Sequence, residues 1–194
     1  MKKKATALLL AAVVSTGTCS MQAITGPVLG TGGFETVSVQ AAAKPSASGL
    51  AAAVKKAYGE NYWPNYQLDK DEIKSKYGVA SSLYSSAFAE VPMISAHVDE
   101  LVIFKAKNKT AKKKILNAVK KYQKNLKEDT MQYPMNLLKI QASKVYVNGN
   151  YVCFFMLGGS LDQSVEENGT DEELIKAYQQ LNQKAVSTIK KKLK

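Results

Sequence analysis

"KIQASKVYVNGNYVCFFMLG", residues 139–158, decides the fold. Two apolar runs flank Asn148-Gly149, and both of those residues tolerate the positive φ of a type I′ turn. An Asn-Gly pair between β-prone runs is the strongest short-range hairpin signal. Residues 139–147 and 150–158 are therefore predicted as antiparallel neighbouring strands. The second contains "YVCFFML", an apolar run that reads as a buried strand.

Working outward, "MISAHVDELVIFKAK" (93–107) is predicted as an earlier strand, with Val102, Ile103 and Phe104 strongly β-prone. Its apolar alternation changes phase at Asp99-Glu100, which predicts a bulge or bend there. Between this strand and the hairpin the period becomes helical. Ile115, Leu116, Val119, Tyr122 and Leu126 form a stripe, with Lys112, Lys113, Lys120, Lys121, Lys124 and Lys127 off it. "DTMQYPMN" (129–136) reads as a break. After the hairpin and a polar loop, Thr170 and Glu173 form a capping box. Leu174, Tyr178, Leu181, Ala185 and Ile189 carry a helical stripe to the end.

Towards the N-terminus, "SGLAAAVKKAYGEN" (48–61) predicts a helix between Ser48 and Gly59. An aromatic-rich loop comes next, with one helical turn capped by Asp69 and turning Ile73 and Tyr77 inward. Residues 81–89 read as a short helix ended before Pro92. A β-α-β connection crosses right-handedly. The fold class expected is α+β: a three-stranded sheet, a split β-α-β with the Asn-Gly hairpin, packed against helices on one face. The third strand lies between the first two.

Met1-Lys2-Lys3-Lys4 before "ATALLLAAVV" has the charged start and apolar stretch of a secretory signal. The run is well short of the ~20 residues needed to span a bilayer. Residues 15–43 are compatible with two processing routes. Val39-Gln40-Ala41 offers small residues of the kind ordinary signal peptidase accepts, with cleavage near Ala41 to Ala43. Cys19 in "TGTCS" offers a lipidation site, although Thr16 lacks the apolar bulk usual three residues before such a cysteine. The organisation expected is a leader over 1–43, a linker over 44–48 and a single domain over 49–194, in an exported protein.

The 151 residues after the leader suffice for one core. They carry 24 lysines against 15 carboxylates, and the chain has no arginine. Specific phosphate and base recognition leans on the planar fork of arginine, so nucleic acid is not expected as a partner. Anionic cell-wall polymer or a membrane surface is. Cleavage at Ala41 or beyond leaves Cys153 as the single cysteine, a small core hydrophobe and not a nucleophile.

"AYGENYWPN", "VPMISAHVDELVIFKAK", "QYPMNLLKIQASKVYVNGNYVCFFMLG" and "NQKAVSTI" resemble the bacterial family catalogued as domain of unknown function 4358. The resemblance runs over roughly residues 50–190. It implies one domain and an envelope location, with many members lipoproteins, and it implies no activity.

His97, the sole histidine, stands two residues before Asp99, which on a strand puts both side chains on one face. Two such groups make no metal site without further ligands. Gln132, Tyr133 and Asn136 flank Pro134 in a stiff turn able to grip an extended peptide or glycan. Ser187-x-x-Lys190 matches a spacing used by penicillin-recognising enzymes but lies near the chain end, without its partner motifs. "DQSVEENGTDEE" lacks the ligand ladder of a calcium loop. No catalytic residue, metal or cofactor is assigned. The expected function is a non-catalytic binding or interaction module of the cell envelope. The alternatives are a hydrolase acting on wall polymers or peptides through His97, and a membrane-anchored lipoprotein of structural role.

Overall fold

A computed structural model describes residues 44–94 and 96–194; the leader and Cys19 lie outside the described residues. Five strands form one antiparallel sheet: β1 (Tyr66–Gln67), β2 (Tyr84–Val91), β3 (Glu100–Ala106), β4 (Lys144–Asn148) and β5 (Tyr151–Met156). Their order is β1-β2-β3-β5-β4. The helices are α1 (Ala47–Tyr58), α2 (Lys70–Tyr77), α3 (Lys109–Glu128), α4 (Pro134–Gln141), α5 (Gln163–Asn168) and α6 (Asp171–Lys192).

The hairpin forms, but not with the expected turn: Asn148 ends β4 paired with Tyr151, so the two turn residues are Gly149 and Asn150, and the positive φ falls on Gly149 alone (54°), as in a type II′ turn and not a type I′ turn. The α+β class and the place of β5 between β3 and β4 match the expectation, and the count of three strands does not. Of residues 81–89, read as a short helix, only Ser81–Leu83 form a 3-10 turn, and the rest belong to β2. Small residues such as Ser85, Ser86 and Ala87 carry little strand preference. Pairing with β3, from Tyr84–Ala106 to Glu90–Leu101, overrides it. The two-residue β1 then completes that edge against Glu90 and Val91.

Other expectations shift for the same reason, that tertiary contact decides where pattern is short. The break at residues 129–136 ends in Pro134, which opens α4 at its first turn. There its fixed φ suits a helix and its missing N–H costs nothing. Residues 139–141, assigned to a strand, finish that helix. Residues 93–99 lie outside β3, so the change of phase at Asp99-Glu100 marks the strand's beginning and not a bulge. The polar loop holds α5.

Helices cover both faces of the sheet, not one. Leu101, Ile103, Cys153 and Phe155 point to a core shared with α1 and α6 through Leu50, Val54, Ala185 and Ile189. Val102, Phe104, Phe154 and Met156 point to a second core with α2, α3 and α4 through Ile73, Ile115, Val119 and Ile140. This is why "LVIF" and "YVCFFM" run apolar without alternation: strands buried on both faces need no polar side.

Two carboxylates close the cores beside one end of the sheet. Glu90 accepts from Lys55 Nζ at 2.7 Å and Tyr62 Oη at 2.6 Å. Glu100 accepts from Tyr77 Oη at 2.9 Å and Tyr122 Oη at 2.7 Å, with Lys76 Nζ at 2.9 Å. Fully buried Asn182 of α6 accepts from Leu157 N at 2.9 Å and donates to Ala142 O at 3.0 Å. It thereby fixes α6 to the ends of both β5 and α4. No described helix is long and apolar enough to cross a membrane.

Candidate functional site

The pairings Glu100–Met156 and Lys144–Phe155 bring the start of β3, the exit of β5 and the entry to β4 to one end of the sheet. Loop 92–99, loop 157–162 and α4 therefore meet there. Between them lies a pocket of about 410 Å³, with Trp63, His97, Asn136, Lys139, Ser160 and Tyr178 among its walls.

Its floor is an ion pair. Lys139, projecting from α4, is only 5 % exposed, and its Nζ stands 2.8 Å from Oδ2 of fully buried Asp99. The same ammonium donates to the Gly159 carbonyl, and Asp99 Oδ1 accepts from Gly159 N at 3.0 Å. One carboxylate thus holds both the charge and the loop beside it. The ammonium lies 5.3 Å from the centre of the Trp63 ring and 5.2 Å from that of Tyr178. Aromatic faces supply the remaining stabilisation of a cation withdrawn from water. Gly159 is required at this point: its φ is 56°, and a Cβ would sit 2.9 Å from the indole of Trp63.

Around this floor, the His97 ring meets Trp63 edge-on with centroids 4.5 Å apart. Asn136 Nδ2 donates to Ala96 O at 3.0 Å, tying α4 to loop 92–99. Burial pushes the Tyr178 hydroxyl up to about 12, with the charges of Glu166 and Asp99 adding to the shift. The phenol therefore stays protonated at physiological pH, able to donate a hydrogen bond and not to act as a base. Glu166 Oε1 accepts from Leu161 N at 2.9 Å and steadies the rim. Among the described residues no hydrogen bond joins His97 to Ser160, Glu166 or Tyr178.

The sequence candidates divide. His97 and Asn136 line the pocket and Asp99 lies beneath it, so three of the five come together. His97 and Asp99 do not share a strand face, because residues 97–99 precede β3. One ring packs on Trp63, while the carboxylate turns inward to Lys139. Gln132 donates to Asp129 Oδ2 at 2.7 Å and lines a separate recess on the other side of loop 92–99. Tyr133 stands just before α4, half exposed, and its side chain makes no capping hydrogen bond. Ser187 and Lys190 sit far along α6, exposed and away from the pocket. Thr170 and Glu173 form the expected capping box.

Lys139, Trp63 and Tyr178 escaped the sequence reading. Lys139 alone left a trace. It interrupts "LLKI", apart from the lysine blocks, while Asp99 stands as an acid beside a strongly apolar stretch. Each is an isolated charge in apolar surroundings, which needs a partner when buried.

A family model described as Domain of unknown function (DUF4358) matches residues 57–157. The chain belongs to this family. Trp63, His97, Asp99, Asn136 and Lys139 fall inside the match. Ser160, Glu166 and Tyr178 lie beyond it, so the far wall of the pocket is built outside the matched stretch. No curated protein and no solved structure matches the chain.

Proposed function

We propose that this DUF4358 protein is a non-catalytic binding module of the cell envelope, working outside the cytoplasm, and that its ligand is a neutral glycan segment. The observation that carries the reading is the pocket's floor, where the Lys139 charge is already matched by Asp99 and flanked by the rings of Trp63 and Tyr178. A charge answered within the protein has little left for an anionic or cationic ligand. What remains for a ligand is aromatic surface with the Tyr178 hydroxyl, Ser160, His97 and the Glu166 carboxylate at the rim, since the Asn136 amide already donates to Ala96 O. That set suits the apolar face and rim hydroxyls of a sugar ring, and the volume is within the usual range for small-ligand sites. The leader-like start at "MKKKATALLL" supports the envelope location. Cys19 as a lipid anchor remains the alternative to release by cleavage near Ala41 to Ala43.

Trp63 is the only tryptophan in the chain, so its fluorescence reports the pocket directly. Soluble neutral glycans, oligomers of N-acetylglucosamine, should shift that emission saturably. Emission unchanged by any of them would remove the reading.

A second reading, a hydrolase of wall polymers or peptides, draws on one observation: His97, Ser160 and Glu166 line the same pocket. Catalysis would require the ligand to draw these groups into hydrogen-bond reach, as nucleophile-base pairs demand.

A further inference from the structure

Asp99 and Glu100 are consecutive, and their side chains part at the head of β3, as neighbours on a strand do. Asp99 goes under the pocket to Lys139. Glu100 goes under the recess on the other side of loop 92–99, where Lys76 Nζ stands 2.9 Å from its Oε1. That recess has a volume of about 360 Å³, close to that of the pocket, and Lys76, Glu100, Tyr122 and Gln132 are among its walls. The two floors repeat one chemistry. In each, a lysine ammonium is paired with a buried carboxylate and flanked by two aromatic rings. Lys76 lies 5.5 Å from the centre of the Tyr122 ring and 5.9 Å from that of Tyr77, as Lys139 lies beside Trp63 and Tyr178.

His97 borders both cavities. So does the segment 132–136, which gives Gln132 to the recess and Pro134, Met135 and Asn136 to the pocket. Between them the Asn136 amide donates to Ala96 O, so loop and segment form one strip that divides the two floors. Met93, Ile94, Tyr133 and Met135 on this strip are each more than half exposed. Large apolar side chains gathered in water beside two cavities mark a surface that something covers. A ligand confined to one cavity would leave most of them bare. One that passes from cavity to cavity over His97 would not.

We propose that the pocket and the recess are two subsites for one ligand, an oligomer of neutral sugars that crosses His97 and places a unit in each. The inference rests on the glycan reading above and adds a length to it. A repeated floor suits a repeated unit, whereas a single sugar would use one cavity and leave the other idle. In the recess too the charges are answered within the protein, because Glu100 holds Lys76 and both phenols. Gln132, held by Asp129 Oδ2 at the recess wall, is the amide placed to meet hydroxyls of the second unit. A unit tethered to one already bound arrives at a high effective concentration, so affinity should climb with length until both cavities are filled.

The test is calorimetry of N-acetylglucosamine oligomers of about two to about six units against the full chain, Gln132→Ala and Gln132→Phe. The second variant fills the recess with a ring. Gln132 is half-buried and lies between α3 and α4, so both variants should fold, as circular dichroism would check. The native chain should bind the longest oligomer at least about ten-fold more tightly than the shortest. Gln132→Ala should reduce that gain and Gln132→Phe abolish it. Met93, exposed at the recess, should be oxidised by peroxide more slowly when the longest oligomer is bound. Affinity independent of length would overturn the two-subsite inference and leave the pocket as a glycan site. So would a gain that survives whole in both variants, or Met93 oxidised as fast with the longest oligomer as without it. No binding at any length would remove the glycan reading itself, and this inference with it.

Discussion

Lys139 Nζ lies 2.8 Å from Asp99 Oδ2, across 40 residues of sequence, with both side chains shut away from solvent. This contact joins α4 to the entrance of β3, and through Gly159 it also holds the exit of β5. A buried pair of this kind gives geometry more than stability. Desolvation offsets much of the attraction, yet either partner alone is an uncompensated charge.

Asp99→Asn should therefore destabilise the protein by about 3–5 kcal/mol in urea unfolding. The double variant Asp99→Leu, Lys139→Met should recover part of that loss, because it leaves no stranded charge, although the Gly159 N–H and carbonyl lose their partners. A double variant weaker than the single one would contradict a stranded charge as the cause of the single variant's loss.

Gly159→Ala places a methyl group against the Trp63 indole on a backbone that L side chains rarely adopt. A loss of roughly 1–3 kcal/mol is expected, together with a shift in tryptophan emission. Gly59 has a comparable φ of 58° but open space around its Cβ. Gly59→Ala should therefore cost less and leave the emission unchanged.

Cys153 is fully buried in β5, and burial pushes its thiol up, away from the reactive thiolate. Alkylation by iodoacetamide should be negligible in the native protein and complete after denaturation. Fast native labelling would contradict its assignment to the core.

Above neutral pH the buried phenols set the limit of stability. Burial first, then the charge of Glu100, raises Tyr77 and Tyr122 well above the ordinary tyrosine value, and burial with Glu90 does the same for Tyr62. A group whose folded pKa is raised contributes its stability in full below the unfolded value. That contribution is lost as pH climbs from there towards the folded pKa. Unfolding free energy should thus hold steady until about pH 10 and fall beyond it. Tyrosinate absorbance and loss of circular dichroism should then rise together. Titration of these three phenols without unfolding would contradict their burial.

The legible parts of the fold were those where chemistry is local. Gly149 marks the hairpin, although the turn is Gly149-Asn150 and not Asn148-Gly149; Asp69 and Thr170 cap their own helices, and the stripe of α3 comes from spacing alone. β2 was hidden because small residues become a strand only when β3 offers its edge. α4 was hidden because eight residues give too short a period to separate helix from strand. The pocket was half visible: His97 and Asn136 were singled out for their chemistry, and Asp99 for its place beside His97. Its floor depends on Lys139 meeting Asp99 and on Trp63 and Tyr178 arriving from distant segments. Only the assembled chain creates those contacts.

The glycan-binding account is tested most directly by calorimetry of soluble N-acetylglucosamine oligomers, which are neutral, against the full chain and against Trp63→Ala. The ligand is then recovered and weighed by mass spectrometry. Saturable one-to-one binding to the native chain is predicted, with the fragment returned intact and binding lost in a Trp63→Ala protein that still folds. Binding that survives Trp63→Ala undiminished would contradict the account, and so would a fragment returned cleaved by the native chain but intact from His97→Asn.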